Sequence, residues 1–218
     1  MITLKPSIRF HVPYRLLSRL LFILPVAVTL SAVAADPVRL TENGMPRAVV
    51  VVPAAPEQLE SKAVEELVEH IKLISGAELP RTTETDGHGE LLPIRIGSAA
   101  DATLDEAVRA AGDNRSAFAL SVNQAGIAIR GLSDEGTLFG VYELLEQLGV
   151  RWYIPGDLGR IVPEIATIEL ATQRTIQTPS IHWRRFQAVP ASDWVLRARM
   201  GGDERSTGGH GLPGNPPR

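Results

Sequence analysis

Cysteine is absent from all 218 residues. No disulfide can staple this chain, and no thiolate can bind zinc or attack a substrate, so an exported protein of this composition must be held by its apolar core. Aromatic residues are scarce at 5 %. Phe118, Phe139, Tyr142 and Trp152 fall within apolar patterns and belong to the expected core, which leaves few rings for a sugar-stacking platform. No nucleophile stands beside a base in any recognisable arrangement. Glu69-His70 opens like a zinc-protease helix, but Ile74 occupies the place where that motif needs its second histidine. His70 therefore reads as a solvated helix residue. The glycines at Gly201-Gly202 and Gly208-Gly-His-Gly211 lack the Gly-Lys-Ser/Thr that completes a phosphate loop.

Long apolar runs are missing too, except near the start. Lys5, Arg9, Arg15 and Arg19 precede the run Leu20 to Ala34, which closes on Ala32-Val33-Ala34. A basic region, a short apolar core and small residues at a cleavage point describe a secretory signal peptide over residues 1–35. The run is short for a span, which needs roughly 20 apolar residues, and Pro25 interrupts it. The expectation is export to a periplasm or the medium, with no membrane attachment after cleavage.

Charge is distributed unevenly. Residues 36–172 hold 11 basic and 22 acidic side chains, and residues 173–218 hold 7 basic and 3 acidic. An acidic body argues against nucleic acid or anionic lipid as partners. The change of sign near Gln173 predicts that a second structural unit starts there.

Ala48–Val52 is a β-branched run bounded by Pro46 and Pro53, hence a buried strand. Glu57–Ser75 reads as an amphipathic helix. Leu59, Ala63, Val64, Leu67, Val68, Ile71 and Ile74 share one face, Glu60, Glu65, Glu66 and Glu69 fall elsewhere, and Gly76 ends it. Leu92–Ile96 is a second strand, and Asp101 caps a shorter helix to Ala111. Phe118–Val122 and Gly126–Arg130 alternate around Asn123-Gln124-Ala125, a β-hairpin pattern. Ser133 or Asp134 caps a helix to Leu148, in which Gly136 and Gly140 suit close packing on a strand. Val150–Ile154 reads as a short strand, with Asp157 and Glu164 as surface turn residues. The sum is an α+β fold: a mixed β-sheet with two long amphipathic helices packed on one face, in one domain over residues 36–172. Further on, Ile181–Phe186 reads as a strand and Asp193–Met200 as a short helix. The Gly- and Pro-rich tail from Gly201 shows no apolar periodicity and is expected to be disordered.

The segment Gly136–Gly159, above all Leu-Gly-Val-Arg-Trp-Tyr-Ile-Pro-Gly, resembles the end of the N-terminal domain of family 67 α-glucuronidases. Ser75-Gly-Ala-Glu-Leu-Pro80, Ile94-Arg-Ile-Gly97 and Gly126-Ile-Ala-Ile-Arg-Gly131 extend the resemblance over about residues 38–170, and the non-catalytic second domain of β-hexosaminidases shares the fold class. In such enzymes this domain packs beside a TIM barrel that carries the catalytic carboxylates. The resemblance implies that Trp194, Arg197, Arg199, Gly209 and His210 lead into that barrel, and it makes His210 the one weak candidate for substrate binding. It implies a fragment cut before its barrel, which would be its partner in cis, with a polysaccharide or glycan as a further partner. No catalytic residue, metal ligand or cofactor site carries over, so the chain alone is expected to be inactive. The alternative is a free-standing carbohydrate-binding or adaptor module. The face left open by a missing barrel is expected around Trp183, Phe186 and Trp194.

Overall fold

The computed structural model describes residues 36–84, 86–186 and 193–201. The residues assigned to the signal peptide and most of the Gly/Pro tail, including Gly209 and His210, lie outside the described residues. In chain order the elements are β1 (Val38–Glu42), β2 (Met45–Pro46), β3 (Ala48–Val51), α1 (Gln58–Ser75), β4 (Arg81–Thr82), β5 (Leu92–Ile96), α2 (Ala102–Ala111), β6 (Phe118–Asn123), β7 (Gly126–Gly131), α3 (Asp134–Gln147), β8 (Arg151–Trp152), β9 (Arg160–Ile161), β10 (Ile168–Leu170), β11 (Gln173–Gln177) and α4 (Asp193–Arg197).

The fold is α+β around a six-stranded mixed sheet in the order β11-β6-β7-β5-β3-β4. Strands β4, β3, β5 and β7 run parallel, whereas β6 pairs antiparallel with both β7 and β11. Side chains alternate across the sheet as the pleat requires. Phe118, Leu120 and Val122 of β6, with Ile127 and Ile129 of β7, join the main core under α1 and α3. Ala119 of β6 joins Leu104 and Val108 of α2 in a smaller cluster, with Ala128 of β7 packed against it. Helix α2 therefore covers the opposite face, and the sheet lies between two helical layers. A second sheet, β10-β1-β2, closes one side of the core with Val38, Leu40, Ile168 and Leu170.

Helix α1 forms where the pattern placed it. Glu57 and Glu60 make a capping box at its start, and Gly76, at φ 77°, takes the left-handed position that ends it. Its apolar stripe is buried, at roughly 1.5–3 kcal/mol for each fully buried Leu or Ile. Three polar residues depart from the expected arrangement: Glu60, Glu66 and His70 are buried as well. The helix is covered on more than one side, because other segments bring hydrogen-bond donors to it. Glu60 accepts from the backbone N–H groups of Glu57 and Ser98.

Helix α3 is capped by Ser133, whose Oγ accepts from Gly136 N. It lies so close to the hairpin that a Cβ on Gly136 would overlap the Ala117 carbonyl, and one on Gly140 would sit 2.6 Å from Ile129 Cγ2. The small-residue spacing thus serves helix-on-strand packing, as expected.

Two expected strands are corrected. In Val150–Ile154 only Arg151 and Trp152 pair, with Ile161 and Arg160. The turn at Pro155-Gly156 brings the chain back after one ladder step. Ile181–Phe186 has no ladder, only an isolated bridge between Arg184 and Gly201. Gln173–Gln177, where the charge changes sign, forms the edge strand β11 of the main sheet.

Candidate docking face

Residues 181–186 and 193–201 lie across helices α1 and α3 and together are termed the strap. It is attached by Arg197 and Arg199, and Arg184 braces it from within. Arg197, in α4, reaches Glu66 of α1 through Nε at 3.2 Å and Nη2 at 2.9 and 3.0 Å. The Glu66 side chain is only 4 % exposed and that of Arg197 16 %, so the pair is largely shielded from water. Burial works against the Arg197 charge, but Glu66 overcomes it and raises the arginine pKa. Lys62 completes the group, 3.4 Å from Glu66 and 2.8 Å from Asp193 at the start of α4.

Arg199 binds both Glu143 and Glu146 on α3. Its backbone adopts φ 54°, unusual for a non-glycine residue, and its carbonyl accepts from Arg184 Nε at 3.0 Å. Arg184 also donates to the Ile181 carbonyl at 2.7 Å, and its guanidinium lies 6.0 Å from the centre of the Phe139 ring. Burial lowers the Arg184 pKa, against the pull of Glu135. Arg184 and Gly201 exchange both backbone hydrogen bonds, at 3.0 and 2.9 Å, and a Cβ on Gly201 would meet the Glu135 carboxylate at 2.6 Å. A groove of about 470 Å³ runs under the strap, with Ser116, Phe139, Ile176, Thr178, Arg184 and Arg199 in its walls.

Aromatic rings tie the strap to the β8–β9 hairpin. Trp194 Nε1 donates to the Trp152 carbonyl at 3.0 Å, and Phe186 stacks on Trp194 at 5.1 Å. Trp152 turns inward, edge-on to both His70 and Tyr142 at 5.4 Å, with Arg197 5.6 Å from the Trp152 ring centre. Two buried ring nitrogens in this cluster have no hydrogen-bond partner, His70 Nε2 and Trp152 Nε1, and the Tyr142 hydroxyl lies against Arg197. Burial lowers the His70 pKa despite the Glu66 carbonyl and carboxylate beside it, and it raises the Tyr142 pKa well above its ordinary value.

The outer surface displays several large apolar side chains among charged ones. Trp183 is 57 % exposed, and Ile181 and Phe186 are also exposed. On the hairpin Tyr153 is 66 % and Leu158 98 % exposed, with Ile154 and Ile161 alongside. The hairpin is nonetheless well tied: Tyr153 N donates to Gly159 O, and Arg160 pairs with Glu69 and Asp157.

Of the residues singled out from sequence, Trp194, Arg197 and Arg199 come together here, and Trp183 and Phe186 face outward near them. Trp194 is half-buried rather than open, because it serves as an anchor. Asp157 and Glu164 are exposed surface residues, as expected. Glu66, His70, Glu143 and Glu146 were not anticipated as a unit. Their only signal was helical spacing, which cannot name a partner more than fifty residues away.

No family model matches the sequence, and comparison with curated proteins finds no match. Solved structures do match. A family GH115 4-O-methyl-α-glucuronidase with specificity for decorated arabinogalactans aligns with 69 % of this chain and 19 % of its own, at 20 % identity and a TM-score of 0.52. The chain shares its fold with part of a glycoside hydrolase. An N-acetyl-β-hexosaminidase from Streptomyces plicatus aligns with 69 % of the chain and 25 % of its own, at 22 % identity and a TM-score of 0.43. A chitobiase from Flavobacterium johnsoniae aligns with 70 % and 20 %, at 18 % identity and a TM-score of 0.41. The chain therefore spans a quarter or less of the length of these enzymes.

Proposed function

We propose that this chain is an exported accessory domain of a carbohydrate-active glycoside hydrolase of the α-glucuronidase type, with no hydrolytic activity of its own. Its role is to hold a catalytic barrel, joined through the strap. The observation that carries this reading is the strap itself. Two arginines, Arg197 and Arg199, clamp it onto α1 and α3, and its free side presents Trp183 and Phe186 beside the apolar hairpin. Apolar surface displayed on a well-tied scaffold suits a protein partner. The buried carboxylates support the same conclusion. Glu60 accepts backbone N–H groups, Glu66 binds Arg197, and Glu135 accepts from Ser116 Oγ, so all three serve the fold. Glycoside hydrolysis instead needs two carboxylates facing one bond across a cleft. The likeness to family 67 α-glucuronidases belongs to this proposal.

The test is an assay of the full purified chain on aryl glycosides and glucuronoxylan. No turnover above background is expected, and saturable hydrolysis would overturn the proposal. A second reading, a free-standing carbohydrate-binding module, draws on exposed Tyr153 and Trp183. It requires measurable heat on titration with xylan or chitin fragments, and a flat titration removes it.

A further inference from the structure

His70 sits at the centre of the strap's attachment. Its Nδ1 lies 2.8 Å from the Glu66 carbonyl, and a carbonyl only accepts, so Nδ1 carries the proton of the neutral ring. Nε2 is buried without a partner. A second proton would create a buried donor with nothing to bind and a cation beside Trp152 and Arg197.

The neighbouring charges decide how that cation is relieved. On α1 these are Glu66, with Oε2 3.5 Å from Nδ1, then Glu69 and Lys62. On α4 they are Arg197 and Asp193, and on α3 Tyr142, kept neutral by burial. The hairpin contributes Arg160, which holds Glu69. Glu66 already serves Arg197 and Lys62, and Asp193 serves Lys62. The least costly response is to release Arg197. That removes one positive charge and leaves Glu66 to pair with the imidazolium one helical turn away. Helix α4 has five residues, none buried, and besides Arg197 it is held by Lys62 on Asp193 and by the Trp194 indole on the Trp152 carbonyl, so losing the Arg197 bridge loosens it and changes the environment of the Trp194 indole.

We propose that α4 is an acid-sensitive latch, in which protonation of His70 displaces Arg197 from Glu66 and loosens α4 from α1, while Arg199 keeps its hold on α3. This rests on the interdomain reading above and adds its regulation: acidification would loosen the seat of the partner domain. One proton taken up per opening lowers the closed-to-open ratio by up to about tenfold per pH unit.

Nuclear magnetic resonance of the full chain tests this. The probes are the His70 ring proton and the Trp194 indole N–H, the latter assigned with W194F. The indole signal is expected to move with the same midpoint as the ring, below the ordinary histidine value of about 6.5. In His70→Asn, whose amide can still donate to the Glu66 carbonyl, that movement is expected to vanish. An indole that stays fixed while His70 titrates overturns the latch. So does an indole that moves only in the carboxylate range near about 4, or one that still moves in H70N. Should H70N fail to fold, coincidence of the two midpoints in the unsubstituted chain decides. Hydrolysis by the free chain would remove the accessory-domain reading and leave this titration unaffected.

Discussion

Replacing Arg197 by Met tests the attachment most directly, because it keeps much of the side-chain length and removes only the charged head. Breaking a buried ion pair by removing one partner costs about 3–5 kcal/mol, since the other charge is left stranded. Two features reduce that cost here. Arg197 retains 16 % exposure, so water can reach the site, and Lys62 remains 3.4 Å from Glu66. The cost is also capped, because a strap that opens locally rehydrates Glu66 without unfolding the sheet. We expect a loss of about 2 kcal/mol in the docking of the strap. A double-mutant cycle with Glu66→Gln should return a coupling of similar size, about 2 kcal/mol, because the two groups touch. The assay is urea unfolding followed by near-ultraviolet circular dichroism, combined with hydrogen exchange of residues 193–201 against the β6–β7 hairpin. The variant should raise exchange in the strap while the hairpin stays protected. A coupling under about 0.5 kcal/mol, the size of an exposed pair, would refute the claim that this bridge holds the strap.

Other outcomes follow from the same structure. Gly136→Ala places a Cβ against the Ala117 carbonyl and should cost about 1–3 kcal/mol in urea unfolding; a neutral result would show that α3 can move away from the hairpin. The His70 pKa is lowered in the fold, so below about 6.5 the unfolded chain takes up a proton that the folded chain resists. This contribution is absent at higher pH, destabilises progressively as pH falls from about 6.5 toward the lowered folded pKa, and levels off below it. Urea midpoints across pH should show that slope, and H70N should flatten it. Trp183→Ser should reduce self-association in sedimentation velocity while changing stability by less than about 0.5 kcal/mol, since its side chain is exposed; unchanged association would place the sticky surface elsewhere.

Sequence alone determined the parts of this protein that local physics controls. The apolar stripe and Gly76 defined α1, Asp101 and Ser133 marked two helix starts, and the alternation around Asn123-Gln124-Ala125 defined the β6–β7 hairpin. Each of these signals lies within one turn or one strand of the structure it produces. The edge strand β11 escaped notice because Gln173-Arg-Thr-Ile-Gln177 has no apolar alternation, and its ladder with β6 supplies the order that its side chains do not. His70 and Glu66 show the limit most clearly. His70 falls three residues after Leu67 and four before Ile74, in line with the apolar stripe, but nothing in that spacing names a partner for Glu66 or for the ring. Only the tertiary structure brings Arg197, 131 positions away from Glu66, to neutralise the carboxylate, and Trp152 to cover the ring. Burial of a charge depends on where its counter-charge arrives in space, and one-dimensional periodicity holds no record of that.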